Sequence, residues 1–119
     1  MPKSYGRNER VAAAIRREMP EILSREIKDP RVRRATVTEV RVSEDLRNAT
    51  VYISFLTDSK EEIDEAMAGL KSAKGFIRST LASRLSLRYM PDLVLKYDKL
   101  LTDSMHLDAL IAKGLGAKD

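Results

Sequence analysis

A chain of 119 residues is long enough for one domain and short for two, so residues 1–119 are expected to fold as a single unit. It has no cysteine, which excludes disulfides, zinc–thiolate sites and thiol nucleophiles, while an apolar share of 43% suits a globular core. A charged share of 34% and a net charge of +4 favour an anionic partner, nucleic acid before membrane surface.

Residues 1–6 read as loose. From Arg7 a helical pattern places Val11, Ile15, Met19, Ile22, Leu23 and Ile27 on one apolar face. Arg10, Arg16, Arg17, Arg25 and Lys28 take other angles. Pro20 falls inside this pattern and should kink or divide the helix, because it removes a backbone donor and crowds the preceding turn. Asp29-Pro30 ends it, since a residue before proline avoids the helical region.

Thr36 to Ser43 reads as a strand with Thr36, Thr38, Val40 and Val42 on one face. Turn residues fill Ser43 to Asn48. A second strand, Asn48 to Leu56, sets Ala49, Val51, Ile53 and Phe55 on one side. The short polar connection predicts an antiparallel hairpin. Ser59-Lys60-Glu61-Glu62 has the spacing of a capping box, so a helix begins near Lys60, with Ile63, Ala66, Met67, Leu70 and Ala73 as its apolar positions. A new stripe, Ile77, Leu81 and Leu85, follows Gly75 and should stop before Met90-Pro91. Leu93 to Tyr97 is a short strand. Ser104 to Lys113 offers a short C-terminal helix, and Gly114 and Gly116 release a loose tail over 114–119. The class is α+β, in the order α-β-β-α-α-β, with a three-stranded sheet packed on helices.

Catalysis has little support. His106 stands alone, no serine lies in a nucleophile-elbow pattern, and Gly69 and Gly75 do not make a P-loop. Glu61, Glu62, Asp64 and Glu65 sit at a helix start, where they favour its dipole. No metal-ligand spacing stands out, so neither metal nor cofactor is expected. The chain carries no apolar run of membrane-spanning length and no signal-like opening, which predicts a soluble, cytoplasmic protein.

The cations are more informative. Arg7, Arg10, Arg16 and Arg17 crowd the first helix, and Arg31, Arg33 and Arg34 follow Pro30. Lys71, Lys74 and Arg78 surround Gly75, with Arg84 and Arg88 further along. A glycine between two helical patterns marks a break, since glycine costs about 1 kcal/mol against alanine in a helix interior. Cations around such a corner suit a phosphate backbone, which they hold without reading sequence. A charged run also serves simply as a solvated face, with arginine stems covering the apolar stripe. Phe55 and Phe76 read as core, so a stacking platform is not expected.

The element order with a glycine between two helices resembles a type II KH domain. Local motifs narrow this: Gly6-Arg7, Arg10-Val11, Glu26-Ile27-Lys28-Asp29-Pro30-Arg31, Ser43-Glu44-Asp45-Leu46, Ala49-Thr50-Val51-Tyr52, Lys74-Gly75-Phe76-Ile77-Arg78, Leu87-Arg88, Pro91-Asp92-Leu93 and Tyr97-Asp98. Their order and spacing resemble the ribosome-binding factor A family over nearly the whole chain. The resemblance implies a small, non-catalytic KH-like protein in which an Ala-x-Gly kink, here Ala73-Lys74-Gly75, replaces the usual loop. It implies a monomer that binds the free small (30S) ribosomal subunit and assists late maturation of 16S rRNA, on the side of its 5′ region and decoding centre. Importance in the cold and contact with other assembly factors belong to the same expectation. From the cations read above, the residues expected to contact RNA are Arg7, Arg10, Arg16, Arg17, Lys71, Lys74, Gly75, Arg78, Arg84 and Arg88. The alternative reading is a KH-like interaction module whose cations meet an acidic protein. Two departures stand out: Pro20 in the first helix, and Ser104-Met105-His106 where many members have Gly-x-Arg. The long charged tail of some relatives is also absent from this sequence.

Overall fold

The structure, a computed structural model, describes residues 6–99. Helix α1 (Arg7–Glu21) opens the fold, with Gly6 as its N-cap. The Gly6 amide donates to the Glu9 carboxylate at 3.2 Å, so Gly6, expected to be loose, is held. Pro20 divides the predicted helix. The proline has no N–H to give its helical acceptor, and the backbone widens directly after it into a π turn, Ile22–Glu26. Ile27 is already extended, so the helical course stops at Glu26. A 3-10 turn, Val32–Arg34, leads into the sheet.

Strand β1 (Thr36–Val42) and strand β2 (Asn48–Ser54) form the predicted antiparallel hairpin. Strand β3 (Asp92–Tyr97) pairs parallel with β2, giving the order β1-β2-β3. A parallel pair needs a crossover, and α2 (Lys60–Ser72) and α3 (Lys74–Leu85) supply it. The register stacks Val42, Ala49 and Leu93 in one row and Val40, Val51 and Leu95 in the next, all buried. Phe55 and Tyr97 close one end, with ring centroids 5.9 Å apart.

One strand face differs from the alternation in sequence. The register slips between Val37 and Glu39, making Thr38 the extra residue of a β-bulge. Val37, not Thr36 or Thr38, therefore sides with Val40 and Val42 against the core. The Thr38 hydroxyl instead lies 2.8 Å from the Asp98 carboxylate and 3.2 Å from the Tyr52 carbonyl.

The helices cover the other side of this core. Ile15, Met19, Ile22, Leu70, Ile77 and Leu81 are fully buried. Each contributes roughly 1.5–3 kcal/mol relative to exposure. Helix α1 packs on β1 and α3, while α2 packs on β3, α3 and the 3-10 turn, so α3 lies between its neighbours. Ser59 caps α2 as expected, accepting from the Glu62 amide at 3.3 Å. The reciprocal half of the box is not formed by Glu62. Its carboxylate takes a hydrogen bond from Thr57 at 2.6 Å, and the Ser59 amide donates to the Thr57 hydroxyl. The predicted C-terminal helix Ser104 to Lys113, His106 and the Ser104-Met105-His106 departure lie outside the described residues.

Candidate nucleic-acid interface

The helix–helix corner is real, and it turns on alanine. Ala73 ends α2 and precedes α3 with φ −89° and ψ 0°, outside the helical region. Gly75 is already the second residue of α3, and its φ is not positive. A Cβ built there meets nothing within 4 Å. The backbone break therefore does not require glycine at 75. What glycine leaves is an unobstructed patch of helix surface. Ala73 offers no side-chain cap to α3, so the first-turn amides have no side-chain acceptor at that position. Lys71 is exposed beside this corner, and Lys74 is half-buried. Neither makes an ion pair among the described residues. Phe76, expected in the core, is 49% exposed on the same turn.

The glycine that packing does require is Gly69, inside α2. A Cβ there would stand 3.0 Å from the Asp29 carboxylate and 3.3 Å from the Val32 methyl. Asp29 cannot swing away freely. It accepts from the Arg31 amide at 3.0 Å and pairs with the Arg31 guanidinium at 2.6 Å. The Arg31 side chain, then its backbone amide, holds the Asp29 carboxyl below its ordinary range.

On α1, Arg10, Arg16 and Arg17 are exposed and border an open groove of about 710 Å³ that reaches Val40 at the β1 edge. Arg17 approaches Glu18 at 3.5 Å, and both Arg10 and Arg16 are free of ion pairs among the described residues. Exposed pairs of this kind hold little, so Arg17 also remains available. Arg7 and Arg88 stand elsewhere, at the start of α1 and in the segment joining α3 to β3.

Two expected RNA contacts are engaged within the fold. Arg78 donates to the backbone carbonyls of Met90 at 2.6 Å and Pro91 at 3.1 Å, tying α3 to the approach of β3. Arg84 reaches back to α1 and the π turn, binding Glu18 at 3.0 Å and also Glu21 and Glu26. Hydrogen bonds donated to Glu21 first, then to Glu18 and Glu26, raise the Arg84 pKa, and Glu21 is held below its ordinary 4.5 by the same contact. Both arginines thus tie separate elements of the fold together while remaining exposed. Among the cations after Pro30, Arg31 serves Asp29 and Arg34 pairs with Glu62 at 3.2 Å. The Glu62 carboxyl is lowered first by Thr57 and then by Arg34.

The structure thus spreads the ten residues over distinct places: the corner with Lys71, Lys74 and Gly75; the α1 groove with Arg10, Arg16 and Arg17; the α1 start with Arg7 and Arg88; and two internal ties. Among the described residues no group of histidine, aspartate and glutamate could hold a metal ion, and no helix is long and apolar enough to cross a membrane. Tyr89, one of the sparse aromatic positions of the sequence, is 59% exposed beside Arg88.

Comparison with known proteins agrees with this architecture. A family model described as "Ribosome-binding factor A" matches residues 7–111. A ribosome-binding factor A from Enterococcus faecalis is 44% identical over 107 residues, covering 90% of this chain and 92% of its own. One from Shewanella loihica is 37% identical over 113 residues, covering 95% and 81%. The crystal structure of ribosome-binding factor A from Thermus thermophilus superposes with a TM-score of 0.64 at 27% identity, over 76% of this chain and 94% of that one. A homology model of the Thermus thermophilus factor, fitted into the cryo-EM map of a 30S complex, gives 0.60 at 27% identity, covering 71% and 88%. With the α-β-β-α-α-β order, the helix–kink–helix corner and these relatives in agreement, the chain belongs to the ribosome-binding factor A family.

Proposed function

We propose that this protein binds the free small ribosomal subunit and assists late maturation of its 16S rRNA without catalysing a reaction. The observation that carries the reading is the uncapped helix corner at Ala73, with the unpaired Lys71 and Lys74 beside an open Gly75. Such a corner offers a phosphate backbone positive charge and room for close approach. The exposed Arg10, Arg16 and Arg17 extend the positive surface along α1. The Thermus thermophilus relative fitted into a 30S complex supports the small subunit as partner.

In this reading the protein acts as one monomeric, cytoplasmic KH-like domain over residues 1–119. It stabilises one rRNA conformation, near the 5′ region and decoding-centre side, by binding that conformation better than its alternatives. A benefit in the cold follows if misfolded rRNA is slower to resolve there. Other assembly factors would act on the same subunit.

Co-sedimentation with purified small subunits tests this. The pair Lys71→Glu and Lys74→Glu should reduce binding by roughly ten-fold or more, since each lost phosphate contact also lowers the salt dependence. Undiminished binding by that variant, with unchanged melting, would overturn the assignment. RNase treatment decides between RNA and an acidic protein partner: a complex that survives it belongs to the latter.

A further inference from the structure

At the end of the domain where α1 begins, the first turn of α1, the β1–β2 turn and the α3–β3 segment enclose a cavity of about 340 Å³. That volume lies at the small end of ligand pockets, which run roughly 300–1,000 Å³. The half-buried Val11, Leu46 and Leu87 form its floor. Arg7, Arg88 and the 59% exposed Tyr89 form its mouth. Neither arginine makes an ion pair among the described residues.

The cavity is held open by built contacts. Arg78 fixes the backbone at Met90 and Pro91, and Pro91 is itself part of the wall. In the β1–β2 turn, the Ser43 hydroxyl meets Asp45 at 2.7 Å, and the Arg47 amide donates to Asp45 at 3.1 Å. Leu46 and Ser86 are the only non-glycine residues with positive φ among the described residues, at 62° and 51°. L side chains adopt that conformation at a cost, and it persists where surroundings impose it. Both strained residues flank this one cavity: Leu46 in its floor, and Ser86 just before Leu87.

We propose that this cavity receives a single unstacked nucleobase of single-stranded RNA. The base stacks on Tyr89 over the apolar floor, while Arg7 and Arg88 hold its flanking phosphates. An aromatic face, a floor without charge and two free cations at the mouth match a nucleotide's flat base and charged backbone. An acidic peptide would use the cations and leave the apolar floor unfilled. The inference rests on the reading of the protein as an RNA-binding factor and adds a base-reading point to it.

The test compares binding of a short oligoriboadenylate, an abasic ribose-phosphate oligomer of equal length and an oligoglutamate. The intact protein should prefer the oligoriboadenylate over the abasic oligomer by roughly ten-fold, the scale of one stacked base. Tyr89→Ala should erase the preference and Tyr89→Phe keep it. Equal affinity for the abasic oligomer overturns the proposal without any variant, and so does a preference that survives Tyr89→Ala. Oligoglutamate binding as tight as oligoriboadenylate would also overturn it and mark a peptide site. Sedimentation with small subunits is run alongside. Failure there with an intact base preference defeats the ribosomal reading alone, whereas normal sedimentation without base preference defeats the cavity alone.

Discussion

Replacing Gly75 with alanine separates two roles that the sequence runs together. In the structure the break sits at Ala73, and Gly75 lies in α3 with open space around its Cα. The substitution removes unfolded-state freedom and suits a helix, so it should stabilise by about 0.4–1 kcal/mol. For a chain of 119 residues that corresponds to a rise of roughly 2–4 °C in Tm. Gly69→Ala is the matched control. Its methyl would meet Asp29 and Val32 at 3.0 and 3.3 Å. Crowding at such a site costs about 1–3 kcal/mol against a helix gain of about 1 kcal/mol, so stability should fall by about 1 kcal/mol. Circular dichroism melts of both variants decide the sign of each. Sedimentation with small subunits adds the functional arm: if RNA approaches the corner closely, Gly75→Ala binds less tightly while melting higher. A fall in Tm for Gly75→Ala would refute the placement of the break at Ala73.

Other consequences follow from the internal ties. Arg78→Met removes the donors to the Met90 and Pro91 carbonyls and should lower stability by about 1 kcal/mol in urea unfolding, with Arg78→Lys intermediate. Arg84→Met leaves Glu18, Glu21 and Glu26 without their shared cation, so it should melt lower at neutral pH, and the deficit should shrink as Glu21 protonates. The wild-type protein should lose stability on acidification below about pH 4.5. Glu21 and Glu62 are held below their ordinary 4.5, and Asp29 and Asp45 below 3.8. Folded-state values below the unfolded ones give stability that is present above those pH values and lost as pH falls through the folded ones. Ser59→Ala should cost about 1 kcal/mol by removing the α2 cap.

Much of the fold was legible in the residues. Hydrophobic period together with turn residues placed both central helices and the hairpin, and Ser59 marked the start of α2 to the residue. The bulge at Thr38 was not, because an inserted strand residue leaves the alternation of residue types undisturbed until a partner strand fixes the register. Glycine at 75 pointed to the corner and misplaced its pivot, since glycine marks where the backbone is permitted to bend and Ala73 is where it does. Arg78 and Arg84 looked like any other cations. Their acceptors are backbone carbonyls 12 and 13 residues away, and carboxylates 58 to 66 residues away, which only the tertiary fold brings near. The cavity beside Tyr89 was equally silent, because its walls come from three separated segments.

Chemical footprinting of 16S rRNA in purified small subunits decides whether the cations of α1 and of the Ala73 corner hold RNA. Protein carrying the native Arg10, Arg16, Lys71 and Lys74 should protect a compact set of nucleotides, and replacing all four with glutamate should abolish that protection while melting stays unchanged. Protections that persist in the four-fold variant, or none with the native protein, would show that these cations do not hold the rRNA.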